Sequence, residues 1–219
     1  MAEPAPISGG RKCIVLGAGG HGRVVIDCLL ASGVVVDAVL DSDRRRWGSK
    51  IAGIPVLGDD SVLLEIGDDT TTFAVGVGAV GKTEPRQRLF RLGLGRGLEP
   101  QTVCHPSATV SRGATLVAGA QVLPGAIINT GARIGANAIV NSGAIVEHDC
   151  DIGDHAHVAT GARLGGDVRI GAGAFVGIGA TVRNAVAVGE NAVVGAGAVV
   201  VKEVAAGTTV AGVPAAPLK

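Results

Sequence analysis

The stretch VSRGATLVAGAQVLPGAIINTGARIGANAIVNSGAIV, residues 110–146, repeats every six residues, and the pattern continues to about residue 204. Every sixth position is Val, Ile or Leu over 16 consecutive repeats. These positions are Val110, Leu116, Val122, Ile128, Ile134, Val140, Val146, Ile152, Val158, Leu164, Ile170, Val176, Val182, Val188, Val194 and Val200. Four residues after each comes a small or apolar residue, usually Ala. A short fixed period of this kind predicts a parallel β-helix.

Each repeat is expected to supply one short strand, with its aliphatic side chain inward, and one turn rich in Gly, Asn, Asp, Ser or Thr. An α-helix is disfavoured, because residues 113–197 contain 17 glycines in 85 residues and Gly and Val are both poor helix formers. Three repeats would close one coil of about 18 residues, whose strands pair with those of the next coil. Burial of each inward side chain contributes roughly 1.5–3 kcal/mol, so the aliphatic stack is the expected main source of stability.

The composition limits the class of protein. The 219 residues carry 19 basic and 19 acidic side chains, so the formal net charge is zero and neither a nucleic acid nor an anionic membrane is an expected partner. No run of about 18 apolar residues is free of Gly and charge, so no membrane span is predicted. Residues 1–10 are predicted to form a flexible tail and not a signal peptide. The four cysteines lack CxxC spacing, which predicts reduced thiols in a cytoplasmic protein.

Residues 11–101 precede the repeat and predict a Rossmann-like α/β half-domain, and residues 102–219 are assigned to the β-helix. The predicted strands of the half-domain cover residues 13–16, 34–40, 51–57 and 71–77, and its predicted helices cover residues 21–31, 61–66 and 85–93. The last helix is basic and amphipathic, and we expect it to pack on the surface. Residues 95–101 are predicted to be the linker between the two domains.

The turn after the first strand carries a glycine motif, GAGGHG at residues 17–22. The spacing of Gly17, Gly19 and Gly22, with Asp41 after the second strand, matches the dinucleotide-binding fingerprint. Such glycines let backbone N–H groups at a helix start approach a phosphate. A nucleotide-sugar site, an NAD or FAD site and a purely structural turn all stay open. The first is favoured, because about 95 residues supply only one of the two halves that a dinucleotide site uses.

Two adjacent repeats differ from the rest, EHDCD at residues 147–151 and DHAH at residues 154–157, and they hold three of the five histidines. An imidazole beside a carboxylate is a common way to hold a base near neutral pH. His148, followed by Asp149, is therefore the candidate base. Stacking of successive coils would place Gly166 next to His148, where a bare backbone N–H could face an oxyanion.

Five segments together resemble one family. They are GAGGHG at residues 17–22 with Asp41, WGSKIAGIPVLG at 47–58, CHPSA at 104–108, NSGAIVEHDCDIGDHAHVATGARLGG at 141–166 and AGVPA at 211–215. They are similar to those of the sialic-acid O-acetyltransferase and bacterial nucleotide-amino-sugar N-acetyltransferase family of two-domain hexapeptide-repeat enzymes. The resemblance implies a triangular prism with left-handed winding, and a homotrimer whose active sites lie between subunits.

The same resemblance implies that the chain transfers an acetyl group from acetyl-CoA, its cosubstrate, to the amine of a nucleotide-linked amino-deoxysugar. His148 would be the general base for direct attack on the thioester, and Asp149 would orient its imidazole. The residues implied near the acetyl group or its oxyanion are His157, Gly166 and Asn141. Those implied at the nucleotide sugar are Gly17, Gly19, Gly20, His21, Gly22 and Asp41. No metal is implied.

Three alternatives remain. An O-acetyltransferase acting on a sialic acid or a related sugar hydroxyl fits the same residues. A metal-dependent hexapeptide-repeat enzyme similar to the γ-class carbonic anhydrases would use His148, His155 and His157, although their spacing does not match the close pair found there. A non-catalytic prism would only trimerise a sugar-binding domain.

Overall fold

The structure is a computed structural model that describes residues 12–64 and 71–218. The N-terminal elements are β1 Cys13–Leu16, α1 Gly20–Ala31, β2 Val36–Leu40, β3 Lys50–Ile51, β4 Ile54–Gly58, β5 Thr72–Val75, α2 Glu84–Gly95 and β6 Glu99–Pro100, with 3-10 turns at Arg44–Arg46 and Asp60–Leu64. They form a six-stranded sheet in the order β3-β4-β2-β1-β5-β6, parallel except for the β3–β4 hairpin. The tail predicted for residues 1–10 lies outside the described residues.

The sheet is built around β1, whose four apolar side chains are all buried, as in a central strand covered on both faces. The predicted α/β half-domain is confirmed, with two corrections. The single strand predicted over residues 51–57 is wrong, because Ala52 and Gly53 take positive φ and fold the chain into the β3–β4 hairpin. The linker predicted over residues 95–101 contains β6, which pairs with β5 at the sheet edge.

From residue 103 the chain forms two-residue strands separated by four residues. They are β7 Val103–Cys104, β8 Thr109–Val110, β9 Thr115–Leu116, β10 Gln121–Val122, β11 Ile127–Ile128, β12 Arg133–Ile134, β13 Ile139–Val140, β14 Ile145–Val146, β15 Asp151–Ile152, β16 His157–Val158, β17 Arg163–Leu164, β18 Arg169–Ile170, β19 Phe175–Val176, β20 Thr181–Val182, β21 Ala187–Val188, β22 Val193–Val194 and β23 Val199–Val200. A final hairpin, β24 Thr209–Ala211 and β25 Ala216–Pro217, ends the domain.

Each short strand pairs in parallel with the strand three places further along the chain, one coil away. Val122 thus pairs with Val140, and Val140 pairs with Val158. The strands form three sheets, which are the faces of a left-handed prism. The docking face runs through β7, β10, β13, β16, β19, β22 and β24; the second face runs from β8 to β23; the third runs from β9 to β21. The predicted parallel β-helix is confirmed.

The second residue of each short strand points inward. From Val122 to Val200 these aliphatic side chains are at most 2% exposed. Most repeats have an Ala at the bend that follows, and these Ala residues are buried as well. Val110 and Leu116, in the first coil, are only half-buried because no coil covers them. Within the described residues no helix is long and apolar enough to cross a membrane.

The first residue of each strand points outward, and its burial differs between faces. On the third face the outward residues Arg133, Asp151 and Arg169 are exposed. On the docking face the outward column is buried from β7 to β19, over Val103, Gln121, Ile139, His157 and Phe175. The N-terminal half-domain covers this face, since Val103 and Ile139 share a hydrophobic cluster with its sheet and α1. The domain boundary between residues 101 and 102 stays a prediction.

Replacing Ile152 by Ala should reduce the free energy of unfolding by about 2–5 kcal/mol, because the side chain is fully buried and a void would replace it. Urea unfolding at one fixed protein concentration measures the change. The control is Thr181→Ala, which shortens an exposed outward side chain and should alter stability by less than about 0.5 kcal/mol. Equal loss in the two variants would contradict the inward stack.

Candidate active site

His148 and Asp149 occupy the corner of the prism between β14 and β15, where the second and third faces meet. Asp149 adopts a left-handed conformation with φ of 61°, which an Asp tolerates better than most residues. Its Oδ2 lies 2.9 Å from Nδ1 of His148. Both side chains are exposed, at 54% and 66% of their full areas. The predicted imidazole–carboxylate pair is therefore formed and open to solvent.

The carboxylate determines how this imidazole titrates. The hydrogen bond to Asp149 raises the pKa of His148 above its ordinary value, and the charges of Asp149, Glu147 and Asp167 add to the effect. An ionised carboxylate can only accept a hydrogen bond, so Nδ1 carries the proton. Nε2 of the neutral ring is then the atom left free to take a proton.

Gly166 stacks on His148 in the next coil, as the sequence predicts. A Cβ placed on Gly166 would lie 2.6 Å from both Cε1 and Nε2 of the His148 ring. Any side chain there would push the imidazole aside. The backbone N–H of Gly166 has no hydrogen-bond acceptor among the described residues, while its carbonyl accepts from the N–H of Ala185. The corner thus joins a base to an unused backbone donor.

His157 lies on β16 of the docking face and is buried. Its Nδ1 contacts the carbonyl oxygen of Ala79, which can only accept, so Nδ1 carries the proton. Its Nε2 then accepts from Nδ2 of Asn141 at 3.1 Å, and Oδ1 of Asn141 accepts from the N–H of Ser142 at 2.8 Å. Burial lowers the pKa of His157 to about 4, so the ring is neutral at pH 7. The edge of Phe175 packs on it, with ring centroids 5.2 Å apart.

These two clusters do not meet within one chain. His148 and His157 are half a coil apart in sequence, and they lie at a corner and on the face opposite to it. The expectation that both residues lie near one acetyl group, at a site between subunits, stays a prediction. His155 is also separate, since it packs on Phe90 and bonds Asn137 at 2.9 Å. Among residues 12–64 and 71–218 no three His, Cys, Asp or Glu side chains are grouped as metal ligands.

The glycine turn after β1 combines packing with an open helix start. Gly17 has φ of +118°, and a Cβ there would lie 2.7 Å from Cγ2 of Val77. A Cβ on Gly22 would collide with the carbonyl oxygen of Gly17, so both glycines are needed for close packing. Gly19 and Gly20 face open space, and the first turn of α1 has no acidic residue and no capping side chain. Backbone N–H groups at such a helix start attract anions.

Asp41 and His21 hold this turn in place through contacts with the protein. Oδ2 of Asp41 accepts from the N–H of Ala18 at 2.7 Å, and its Oδ1 accepts from the N–H of Asp43 at 2.8 Å. Nε2 of His21 donates to Oε1 of Gln121 on the docking face at 2.9 Å. Burial lowers the pKa of His21 to about 4, so it carries no charge for a phosphate at pH 7.

A cavity opens at the carboxyl ends of β1, β2 and β5, the edge at which open α/β sheets bind ligands. Its lining comes from the ends of these strands and the turns after them, from the 3-10 turn after β4 and from α2. It consists of Gly17, Leu40, Asp41, Ser42, Asp60, Val77, Arg88 and Leu89. The predicted glycine-turn residues Gly17 and Asp41 are thus brought to one cavity. It lies on the half-domain, which covers the docking face and not the corner with His148.

Sequence reasoning missed Gln121 and Arg86. Gln121 lies in the outward column of the docking face, where it donates to the carbonyl oxygen of Val75 at 2.8 Å. Arg86 lies on α2, which we expected to pack on the surface, and its side chain is fully buried. Only Gln121 could have been found from the sequence. Its outward neighbours one coil away, Val103 and Ile139, are apolar, which indicates that another part of the chain covers this face.

Two segments of the chain match known families. Residues 12–92 match the PglD N-terminal domain, and residues 131–166 match the bacterial transferase hexapeptide family, described as six repeats. The first match covers most of the half-domain and the second covers the coils that hold both histidine clusters. A comparison with curated protein sequences gives no match.

Solved structures extend the similarity to nearly the whole chain. The acetyltransferase domain of PglB from Neisseria gonorrhoeae, in complex with acetyl coenzyme A, is 36% identical, with 96% of this chain and 100% of that one covered and a TM-score of 0.88. PerB from Caulobacter crescentus, in complex with CoA and GDP-perosamine, is 36% identical, with 99% and 100% covered and a TM-score of 0.88. WeeI from Acinetobacter baumannii is 27% identical, with 94% and 99% covered and a TM-score of 0.85.

Replacing Asp149 by Asn should lower the pKa of His148, because the carboxylate stabilises the protonated ring and the amide does not. The neutral fraction of His148 at a given pH would then increase. NMR titration of the histidine side chains measures the shift without an activity assay. The control is Asp151→Asn, which removes a nearby exposed carboxylate that pairs with Arg133 and makes no bond to His148. Equal shifts in both variants would argue against a specific pair.

Proposed function

The chain belongs to the family of two-domain, hexapeptide-repeat sugar acetyltransferases, and we propose that it transfers the acetyl group of acetyl-CoA to the amino group of a nucleotide-linked amino-deoxysugar. The observation that carries the proposal is the corner where the His148–Asp149 pair stacks against the bare backbone of Gly166. Support for the acceptor comes from the 36% identical enzyme of Caulobacter crescentus, described as a GDP-perosamine N-acetyltransferase. Support for the donor comes from the bound acetyl coenzyme A of the PglB domain.

The chemistry starts with proton transfer, since an ammonium group has no lone pair and cannot attack a thioester. Once the amine is neutral, its nitrogen adds to the acetyl carbonyl carbon while Nε2 of His148 takes one of its protons. The tetrahedral intermediate then collapses, the carbon–sulfur bond breaks, and the proton held by His148 passes to the leaving CoA sulfur. Asp149 keeps Nδ1 protonated throughout, so that Nε2 faces the reacting atoms.

The thioester oxygen becomes negative in the intermediate, and a donor fixed in advance at that position lowers the barrier. The N–H of Gly166 fits this role because none of the described residues accepts from it and because it adjoins the His148 ring. The direct attack requires no covalent intermediate on the protein. Cys150, the nearest thiol in sequence, is buried, and burial raises its pKa, which disfavours a thiolate nucleophile.

The nucleotide sugar is assigned to the half-domain. The bare start of α1, with Gly19 and Gly20 open, suits a diphosphate, and the cavity beyond Gly17 and Asp41 suits the nucleoside side of the ligand. The contacts of Asp41 with Ala18 and Asp43 support a role in shaping the turn. His157 and Asn141 lie on the face that the half-domain covers, and we assign them to the sugar end of the acceptor, where its amine meets the acetyl group of acetyl-CoA.

A complete site then requires two copies of the chain. His148 lies at a corner remote from the half-domain, while His157 and the glycine turn lie on the docking face. Neighbouring prisms in a homotrimer would bring the corner of one copy against the docking side of the next, with acetyl-CoA in the groove between them. Cyclic closure with one contact repeated three times gives three equal sites.

Replacing His148 by Ala should lower kcat about 10²–10⁴-fold, the usual contribution of a general base, without loss of the fold. The assay measures free thiol released from acetyl-CoA against a panel of UDP- and GDP-linked amino sugars. Sialic acid is included as the hydroxyl acceptor, and His105→Ala is the control for loss of a histidine outside the two clusters. Full turnover by the His148 variant would remove it from the mechanism, and thiol release with sialic acid alone would replace N-transfer by O-transfer.

Mixed assemblies test whether the site is shared. When His148→Ala and His157→Ala chains are co-expressed with different tags and purified through both, each mixed trimer retains one intact site, so about one third of wild-type turnover is expected. Each variant alone, and the two mixed after separate purification, should stay inactive. Mixed trimers without activity would mean that both histidines act from the same chain.

A further inference from the structure

Arg86, on α2, is a buried guanidinium at the contact between the half-domain and the prism. Its Nη1 donates to the carbonyl oxygens of Val75 at 3.1 Å and Val77 at 2.7 Å. Its Nε donates to the carbonyl oxygen of Asn137, at a corner of the prism, at 3.0 Å. The side chain is 0% exposed, and no carboxylate among the described residues forms an ion pair with it. A full positive charge is thus held by backbone carbonyls alone.

Such an arrangement is a costly way to fasten two domains. A buried charge loses its hydration, and apolar residues of similar size usually stabilise a contact as well or better. The same interface already uses Val103, Ile139 and Leu123 for this purpose. Burial lowers the pKa of Arg86 to about 9, so the group nevertheless stays protonated at pH 7. Arg86 differs from an apolar residue at this contact because it binds particular carbonyl oxygens and fixes their direction.

Those carbonyls belong to the segment that leaves β5. Val75 and Val77 bond to Arg86, and the carbonyl of Ala79, two residues further on, contacts Nδ1 of His157. Oxygens of residues 75, 77 and 79 all face the side chains of α2 and the docking face, and Gln121 donates to the first of them as well.

We propose that Arg86 is a positioning residue: by holding the carbonyls of residues 75 and 77, it aims the carbonyl of Ala79 at His157 and so selects the tautomer of that ring. The proposal rests on the proposed function, in which His157 and Asn141 meet the acceptor. With Nδ1 protonated, the lone pair of Nε2 holds the Asn141 amide. With Nε2 protonated, two donors would face each other and the amide would turn away.

The first test is the tautomer itself. Long-range ¹⁵N–¹H NMR of the wild-type protein should show His157 with Nδ1 protonated, and a ring protonated at Nε2 would overturn the proposal without any variant. In Arg86→Lys, the charge and much of the stem remain, but a single ammonium nitrogen cannot hold Asn137 in the place of Nε while it holds Val75 and Val77 in the place of Nη1. This variant should fold and show a mixture of tautomers. Arg86→Gln, which removes the charge, should show the same mixture.

Kinetics supply the second measurement. Both variants should lower kcat about 10–100-fold, the scale of a small misplacement of reacting groups, while the KM for acetyl-CoA changes less than about threefold. Arg91→Lys and Arg91→Gln, exposed positions on the same helix, are the matched controls and should leave tautomer and kcat unchanged. A wild-type tautomer in folded Arg86→Lys would overturn the proposal, whatever its kcat.

The two proposals fail in different ways. If no amino sugar is acetylated by the wild-type protein, the proposed function fails, yet the NMR comparison still reports whether Arg86 sets the tautomer of His157. If the wild-type protein is active and the Arg86→Lys tautomer is unchanged, the acetyltransferase stands and the positioning role is lost.

Discussion

The stacking of aliphatic side chains along the inside of the prism determines where every other side chain can lie. Val122, Val140 and Val158 occupy equivalent places in successive coils. Because side chains alternate along a strand, a shift of one residue would turn the whole stack outward. The register therefore also fixes the outward column of each face and the corner positions. The contact of His148 with Gly166 therefore follows from the register of the core.

The outward column of the docking face explains how one domain is set against the other. Its apolar members would permit some sliding, since hydrophobic burial is not directional. Its polar members do not, because buried polar groups need partners at definite positions. Gln121 finds them in His21 and Val75, and His157 finds one in Ala79. Hydrogen bonds thus convert an apolar contact into a single orientation of the half-domain.

The period of the repeat predicted the parallel β-helix, while its triangular, left-handed form came from the family resemblance. Stacking of coils 18 residues long then predicted the contact of Gly166 with His148, and the adjacency of an imidazole and a carboxylate predicted the pair with Asp149. The same arithmetic also puts His157 half a coil from His148, on the far side. Which subunit supplies each histidine to a site between subunits could not be derived from that arithmetic. Arg86 was out of reach, because its burial depends on a contact between two domains whose orientation the pattern of α2 does not encode.

The pKa values of His148 and His157 are shifted in opposite directions, and a shared site would contain both residues. His157 is neutral because burial lowers its pKa, whereas the pKa of exposed His148 is raised by Asp149. In one isolated chain His148 would hold its proton to higher pH than a free imidazole. Covering that corner with a second copy would remove water and lower the pKa again. Association would then complete the proposed site and would also favour the neutral form of His148.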